Sequence, residues 1–456
     1  MTIRVFVALL LLVSFPLTSW GLTLDEEKKY GREIYFEIVK SSRLINDPYA
    51  CFYIGQMGRR LDQAAEIPFP LRITLIHSIT PNAFATMGGY VYVTSGLIEM
   101  TDTEEELAGV LAHELAHVGK RHISKRMEKE KYLNMGMIAA MLLSALVPGG
   151  AAVSQALMAG SMGAAQGISL KYSREDETEA DRVGLATAEK AGYNGRGISQ
   201  FLKKIRAAEP GKETPQYLLT HPYPEDRAIK IESMITLEKN RLDTDLFPQI
   251  VARFRILDKQ FNVALEETWL KRYEKDPKNP TSAYGASLVY SLKGDVDRAA
   301  AIAGEIDSPY RNLFLGEILV RGQRFAEATE VLRTGTDPIS RYYYATALEG
   351  KGDLQGAATV LKGLFPWHTS FPGIYQKYAM VVGRLGNEGL GFEYLGRYYL
   401  ETGRGEAARM YFQKAVEAYG RNSEDGRKLR DDLSEMKDGK PKEEPASKQQ
   451  KKMSGP

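Results

Sequence analysis

The sequence predicts an α+β domain, mostly helical with a small sheet, followed by an all-α solenoid. Between residues 22 and 249, long helical stretches surround two short segments of strand character. After about residue 250, Gly294, Gly322 and Gly352 recur at intervals of 28 and 30 residues between helical stretches. That periodicity is typical of stacked helix pairs. A chain of 456 residues is long enough for two or three domains with their own cores.

The first 21 residues, MTIRVFVALLLLVSFPLTSWG, have the pattern of a secretory signal peptide. Arg4 precedes an apolar run at 5–15, and the small residues Ser19 and Gly21 follow it. The run is too short to span a bilayer, so residues 1–21 are predicted to be a signal peptide cleaved near Gly21. We therefore expect an exported chain, and its single cysteine, Cys51, excludes an intramolecular disulfide.

The charges are almost balanced, with 60 basic against 58 acidic side chains. No stripe of basic residues is interleaved with aromatic residues. These features argue against a nucleic-acid-binding protein.

The elements of the first domain, residues 22–249, follow in order. A capping box of Thr23 and Glu26 opens a helix, and the strand segments LRITLIHS and ATMGGYVYVTSGLI come next. A second capping box, Thr103 and Glu106, opens the long helix TDTEEELAGVLAHELAHVGKRHISKRMEKEK. A further helix is predicted at about 173–191, in YSREDETEADRVGLATAEKAG.

Residues 133–169 are rich in methionine, glycine and alanine and predict a soft helical hairpin. Their uninterrupted apolar piece, 135–147, is too short to cross a membrane. Three interpretations stay open: helices packed on the core, a lid over the active site, or a peripheral membrane contact.

Residues 250–436 contain the repeats. The segment YLGRYYLETGRGEAARMYFQKA has the residue spacing of a tetratricopeptide repeat, and weaker copies precede it. We predict about four repeats, whose stacked helix pairs share one core and leave a groove. The tail at 437–456 has few apolar residues to bury and is predicted to be disordered.

The chemistry is concentrated in HELAH, which contains His113, Glu114 and His117. Side chains four apart lie on one helix face, about 5–6 Å apart at Cβ, so both imidazoles can reach one metal ion. Glu114 lies beside them and can serve as a general base. The pattern is a known motif of zinc peptidases, and it predicts one Zn²⁺ per chain.

A catalytic zinc ion needs a third protein ligand, and the acidic run SREDETEAD offers five candidates. These are Glu175, Asp176, Glu177, Glu179 and Asp181. Glu177 and Asp181 share a helix face, so one could bind metal while the other orients a histidine. Spacing alone does not choose among the five.

Taken together, HELAH, ETEAD and the SR before it resemble the HtpX and CAAX prenyl-protease family of zinc metallopeptidases. The signal peptide, NAFATMGGYVYVTSGLI, THPYPEDRAIKI and the repeats are similar to its periplasmic branch. The resemblance implies a zincin-like fold and a periplasmic location. It also implies peptide-bond hydrolysis of misfolded or stalled envelope proteins and repeats that recruit clients or the outer-membrane β-barrel assembly machinery.

The resemblance also implies roles for individual residues. Glu177 would be the third ligand and Asp181 would support the site. His221 would approach the zinc as a fourth, regulatory ligand, although a histidine before proline is ordinarily a loop residue. Arg227 could steady an oxyanion or support the loop, and an ordinary ion pair is the alternative. His77, His122 and His368 have no partner at ligand spacing and are interpreted as structural or exposed.

Gly88, Gly89, Tyr90 and Val91 begin a strand segment that could serve as a substrate-docking edge. Glycine permits close backbone approach, and an extended substrate could add itself as a strand. The alternative is an internal strand of the sheet.

Two functions are therefore compatible with the sequence. The first is an exported zinc endopeptidase with Glu114 as general base. The second is a chaperone or scaffold for outer-membrane protein assembly whose protease site is gated and rarely used.

Overall fold

The computed structural model describes residues 22–129, 143, 172–207, 216–222, 224–237, 246–257 and 263–435. The predicted signal peptide, the tail at 437–456 and, apart from residue 143, the hairpin at 133–169 lie outside these residues. Within the described ranges, no helix combines the length and the apolar character that a bilayer span requires.

The N-terminal region is mostly helical with one small sheet, as predicted. Its elements are α1 (Leu24–Ser41), α2 (Pro48–Ala64), β1 (Arg72–Ile76), β2 (Ala83–Thr86), β3 (Tyr90–Thr94), α3 (Ser95–Met100), α4 (Glu104–Gly119), α5 (His122–Lys129), α6 (Arg174–Lys190), α7 (Arg196–Ala207), α8 (Gln216–Thr220) and α9 (Pro224–Met234). The predicted capping box is present at the start of α1, where Thr23 and Glu26 bond each other's backbone N–H groups.

The sheet has the strand order β1-β3-β2, and this order corrects the predicted docking edge. Tyr90 and Val91 lie in β3, which pairs with β1 in parallel and with β2 in antiparallel fashion. Gly88 and Gly89 form the buried turn that leads from β2 into β3. Because both sides of β3 already carry ladder hydrogen bonds, this strand cannot add a substrate strand. The edge position next to α4 belongs to β2, which packs against that helix.

Helix α4 is the centre of the N-terminal region. Its side chains from Leu107 to Val118 are all buried. Helices α6 and α7 pack along it, α2 and β2 contact it as well, and α9 covers α6 and α7. A helix enclosed on every side holds its side chains in fixed positions, because each rotamer is limited by packed neighbours.

The C-terminal region is all-helical, as predicted. Its helices are α10 (Phe247–Leu257), α11 (Val263–Lys275), α12 (Pro280–Leu292), α13 (Val296–Gly304), α14 (Arg311–Arg321), α15 (Phe325–Leu332), α16 (Pro338–Lys351), α17 (Leu354–Gly363), α18 (Gly373–Arg384), α19 (Glu388–Glu401), α20 (Gly405–Tyr419) and α21 (Glu424–Glu435). Gly294 and Gly352 end α12 and α16 at φ values of 84° and 93°, which L side chains rarely adopt. The recurring glycines thus mark turns between paired helices, whereas the tetratricopeptide class stays a prediction.

Helices α12 and α16 contact helix α2 of the N-terminal region. Tyr49 of α2 contacts Tyr284 and Tyr343, and Phe52 of α2 packs against Tyr342 and Phe371. The predicted domain boundary at residue 250 falls inside α10, which contacts both α3 and α12. One continuous cluster of buried apolar side chains joins the two regions. Helix α2 therefore covers part of the surface of α12 and α16.

Candidate metal centre

The first two candidate ligands come from α4. Its helical spacing places His113 and His117 one turn apart on the same face, and both side chains are buried. Their Nε2 atoms lie 3.0 Å apart. Glu114 follows His113 on this helix and is fully buried. The local geometry of the motif is thus the one that its spacing predicts.

The third candidate comes from α6, which a capping box between Ser173 and Asp176 starts. Glu177 lies one position further on, and its buried carboxylate faces α4. Among the other acidic candidates, Glu175 is exposed and Glu179 contacts His122 instead. Asp181 lies one turn after Glu177 and contacts His113. Only Glu177 of the five joins the two histidines in a potential metal-binding group.

His221 joins the same cluster from the residue that follows α8. Its Nδ1 lies 3.0 Å from Glu177 Oε1 and 3.3 Å from His113 Nε2. Glu177 Oε1 is 3.5 Å from His117 Nε2. The four buried residues His113, His117, Glu177 and His221 could therefore hold one metal ion.

The donor set fits zinc in both chemistry and size. Imidazole and carboxylate are ordinary zinc ligands, and tetrahedral bonds of about 2.0–2.1 Å place ligand atoms about 3.3 Å apart. Four of the separations between the inner atoms of these residues are 3.0–3.5 Å, and the ligand atoms of the whole set lie within 4.8 Å of one another. Both carboxylate oxygens of Glu114 and the Nε2 atom of His221 lack a hydrogen-bond partner among the described residues. Buried polar atoms without partners are costly unless a bound species satisfies them.

Arg227 of α9 ties two carboxylates of α6 together. Its Nε and Nη2 donate to Asp181 at 2.8 and 2.7 Å, and its Nη1 makes an ion pair with Glu177. Asp181 in turn lies 3.0 Å from His113 Nδ1 through its Oδ1. Burial opposes ionisation of Asp181, but the charge and hydrogen bonds of Arg227 outweigh it and hold the pKa of Asp181 at about 2. Arg227 is thus engaged in ion pairs, the alternative that the sequence left open.

Glu114 and Glu177 differ in their proton affinity although both are buried. Burial raises the pKa of Glu114, and its neighbouring positive charges offset that effect only in part. Burial acts on Glu177 in the same direction, but His221 and Arg227 outweigh it and hold its pKa well below the ordinary value. Glu177 therefore stays an anion that can bind a cation, whereas Glu114 has the greater proton affinity that a general base needs.

Three residues near the cluster were not singled out by sequence reasoning. Tyr172 stacks on His117 with ring centroids 3.8 Å apart, and Tyr217 stacks on His221 at 4.5 Å. His122, interpreted as structural or exposed, is buried with its Nδ1 2.8 Å from His117 Nδ1. Tyr217 could have been found, since it lies four residues before His221. Tyr172 and His122 carry no comparable signal.

Gly184 lets α6 approach α4 closely enough to deliver Glu177. A Cβ added to Gly184 would lie 2.9 Å from both the N and Cα atoms of His113. We expect Gly184→Ala to push the two helices apart, lowering the free energy of unfolding by about 1–3 kcal/mol and weakening zinc binding. Urea unfolding and competition with a chelator measure the two effects.

Gly383→Ala in α18 is the matched control for this substitution. In the part of the chain that the structure describes, no neighbouring atom lies within 4 Å of a Cβ added there. It should leave zinc binding unchanged and raise stability slightly, because alanine restricts the unfolded chain. If Gly184→Ala behaves like Gly383→Ala, the close approach of the two helices does not matter for the metal centre.

Comparisons with known proteins show that the chain is similar to metallopeptidases. The sequence profile of peptidase family M48 matches residues 52–235. A putative β-barrel assembly-enhancing protease of Vibrio cholerae is 34% identical over 323 residues, which is 65% of this chain and 63% of that protein. The β-barrel assembly-enhancing protease of Yersinia pestis is 30% identical over 404 residues, 76% of this chain and 80% of that protein. The mitochondrial metalloendopeptidase OMA1 of Schizosaccharomyces pombe is 29% identical over 222 residues, covering 47% and 62%. The matches to the Vibrio and Schizosaccharomyces proteins thus span less than two thirds of those relatives.

Proposed function

The chain belongs to peptidase family M48, in the branch of the β-barrel assembly-enhancing proteases, and is a metalloendopeptidase; we propose that it is an exported zinc enzyme that cleaves misfolded or stalled envelope proteins in the periplasm. The observation that carries this proposal is the convergence of two histidines of HELAH with Glu177. Glu114 lies beside that cluster, and neither of its carboxylate oxygens accepts a hydrogen bond from the described residues.

His113, His117 and Glu177 would hold one Zn²⁺. When bound, zinc supplies a Lewis acid that polarises a carbonyl and lowers the pKa of a coordinated water to about 7. Glu114 takes a proton from the attacking water and later delivers it to the departing amine. Asp181 holds His113 through Nδ1, and Arg227 holds Asp181 in place. The ligand set is therefore fixed before a substrate binds.

His221 would act as the regulatory fourth ligand. Its Nδ1 lies within the ligand cluster, and its Nε2 is 3.4 Å from Glu114 Oε1. With zinc bound, His221 would take the coordination position that a catalytic zinc needs for water and substrate. The enzyme would then be in a resting state, and hydrolysis would require His221 to withdraw.

The alternative function is a chaperone or scaffold for outer-membrane protein assembly with a gated, rarely used protease site. The observation that favours it is the position of His221 inside the cluster, where it is fully buried. The two functions can coexist, because a gated protease needs a region that recruits its clients or the β-barrel assembly machinery. Since α2 covers part of α12 and α16, we assign recruitment to the surface of the C-terminal helices that α2 leaves uncovered.

The proposal predicts that one client is cleaved when unfolded and spared when folded. A gated site accepts an extended chain that can reach the metal, whereas a folded client keeps its backbone in its own hydrogen bonds. The measurement is cleavage of the same client in both forms by the zinc-loaded protein.

Protein stripped by a chelator is the control, and it should cleave neither form until zinc is restored. Equal cleavage of both forms would show that the preference for misfolded clients is wrong. Undiminished cleavage by the metal-free protein would overturn the zinc mechanism itself.

A further inference from the structure

Each of the two histidines of α4 has a partner for the ring nitrogen that faces away from the cluster. His113 Nδ1 lies 3.0 Å from a carboxylate oxygen of Asp181. Among the described residues, His117 Nδ1 meets no carboxylate oxygen and instead lies 2.8 Å from Nδ1 of His122. His122 is therefore in the same position relative to His117 that Asp181 has relative to His113.

The contacts of His122 fix the direction of this hydrogen bond. Its Nε2 lies 3.2 Å from Glu179 Oε2, and an ionised carboxylate can only accept. Nε2 of a neutral His122 must then carry the hydrogen, which leaves its Nδ1 as an acceptor. His117 consequently donates from Nδ1 and keeps the lone pair on Nε2. That is the nitrogen that lies 3.0 Å from His113 Nε2, inside the cluster.

The backbone between α4 and α5 is shaped to place His122 there. Helix α4 ends at Gly119, and Arg121 takes the left-handed conformation with a φ of 56°, which is uncommon for a residue other than glycine. The side chain of Arg121 is held by hydrogen bonds to Glu27 and to the backbone oxygen of Leu22. This turn folds α5 back so that the ring of His122 packs edge-on against that of His117 at 4.9 Å between centroids.

We infer that His122, backed by Glu179, is a positioning residue that selects the metal-binding tautomer and orientation of His117. The inference rests on the proposed function, since it concerns the same metal centre. Partners of this kind orient a ligating histidine and raise its basicity, and their loss typically weakens metal binding. His122 is only 3% exposed, while the Glu179 carboxylate reaches the surface beside Lys120. His122 thus connects the buried ring of His117 to the partly solvated carboxylate of Glu179.

The alternative is that His122 merely fills space between α4 and α6. Packing alone does not require the two linked hydrogen bonds, and an apolar residue of similar volume would serve it equally well. The two interpretations therefore differ in what they predict for a substitution that keeps an acceptor at the Nδ1 position of His122 but removes the Nε2 donor.

The test compares three variants of the full chain: His122→Leu, His122→Asn and Glu179→Gln. Leucine removes the acceptor and keeps apolar bulk. The Oδ1 atom of asparagine lies where histidine has Nδ1 and can still accept from His117. The readout is the dissociation constant for Zn²⁺, measured by competition with a chromophoric chelator. Far-UV circular dichroism and the thermal midpoint of the zinc-free proteins report on folding.

We expect His122→Leu to weaken zinc binding by about 10–100-fold. His122→Asn should bind zinc almost as tightly as the natural chain, and Glu179→Gln should lie between the two. Equal zinc affinity of the leucine variant and the natural chain would overturn the inference, as would equal losses in the leucine and asparagine variants. A natural chain that binds no zinc would overturn both proposals. Zinc binding with the expected ranking but without peptide hydrolysis would overturn only the proposed function.

Discussion

Glu114→Gln lowers the rate of peptide hydrolysis by a factor of about 10²–10⁴, because an amide at this position cannot accept the proton of the attacking water. The metal centre should survive the change, since Glu114 is not among the four residues that could hold the ion. The burial that raises the pKa of Glu114 also makes the neutral glutamine an easy structural replacement. The measurement is kcat/KM on an unfolded client, together with the zinc content of the purified variant.

Glu175→Gln is the matched control for Glu114→Gln. It makes the same chemical change on the exposed face of α6, two residues before Glu177. It should leave both hydrolysis and zinc content unchanged. Hydrolysis by Glu114→Gln at the natural rate would show that the enzyme mechanism is wrong. If Glu114→Gln loses hydrolysis but still supports the assembly of β-barrel proteins, the scaffold function gains support.

Arg253→Met is expected to have the largest effect on stability. Arg253 of α10 is 3% exposed and bonds Asp47, the N-cap of α2, together with Glu317 of α14. Its guanidinium also donates to the hydroxyls of Tyr284 and Tyr343. Removing one partner of a buried ion pair leaves the remaining charges uncompensated, so we expect a loss of about 3–5 kcal/mol in the free energy of unfolding. Urea denaturation of the full chain measures it.

A second substitution measures how much of this loss comes from the ion pair between Arg253 and Glu317. Arg253→Met combined with Glu317→Leu should recover part of the loss, because the fully buried carboxylate of Glu317 is no longer left unpaired, whereas Asp47 still lacks its guanidinium partner. Lys271→Ala breaks an exposed ion pair with Glu267 in α11 and should cost no more than about 1 kcal/mol. An Arg253→Met variant as stable as Lys271→Ala would contradict the proposed importance of the buried network.

Acid should weaken the same network. Burial raises the pKa of Glu317, but the charges of Arg253 and Arg321 outweigh burial and bring it to about 2. The folded-state pKa is thus below the ordinary value of 4.5. Ionisation of Glu317 therefore contributes stability that is fully present above pH 4.5 and is lost as the pH falls towards 2.

The sequence predicted those parts of the metal centre that depend on local geometry. His113, Glu114 and His117 lie within one helix turn, and helical periodicity alone places them on one face. Glu177 could not be chosen from spacing among five acidic residues; the family resemblance selected it. The choice depends on how α6 packs against α4, and Gly184 makes that approach feasible.

The sequence did not predict features that depend on long-range pairing. The strand that contains Tyr90 was expected at an edge, but strand order is set by contacts between distant segments, and β3 lies in the middle. His122 was overlooked because it lies five positions after His117. On a continuous helix, a residue at that spacing lies on a different face. The left-handed turn at Arg121 breaks that helix and brings the ring back. Short sequence windows do not reveal either event.

The contact of α2 with the C-terminal helices bears on how this chain can be recombined with its relatives. Tyr49 and Phe52 fill an aromatic seam that Tyr284, Tyr342, Tyr343 and Phe371 complete from the other side. A chimera that exchanges only the C-terminal half would bring mismatched rings and charges into this seam. The segment to exchange is instead the C-terminal half together with the first turns of α2. Most hybrid proteins joined at residue 250 should therefore fold poorly.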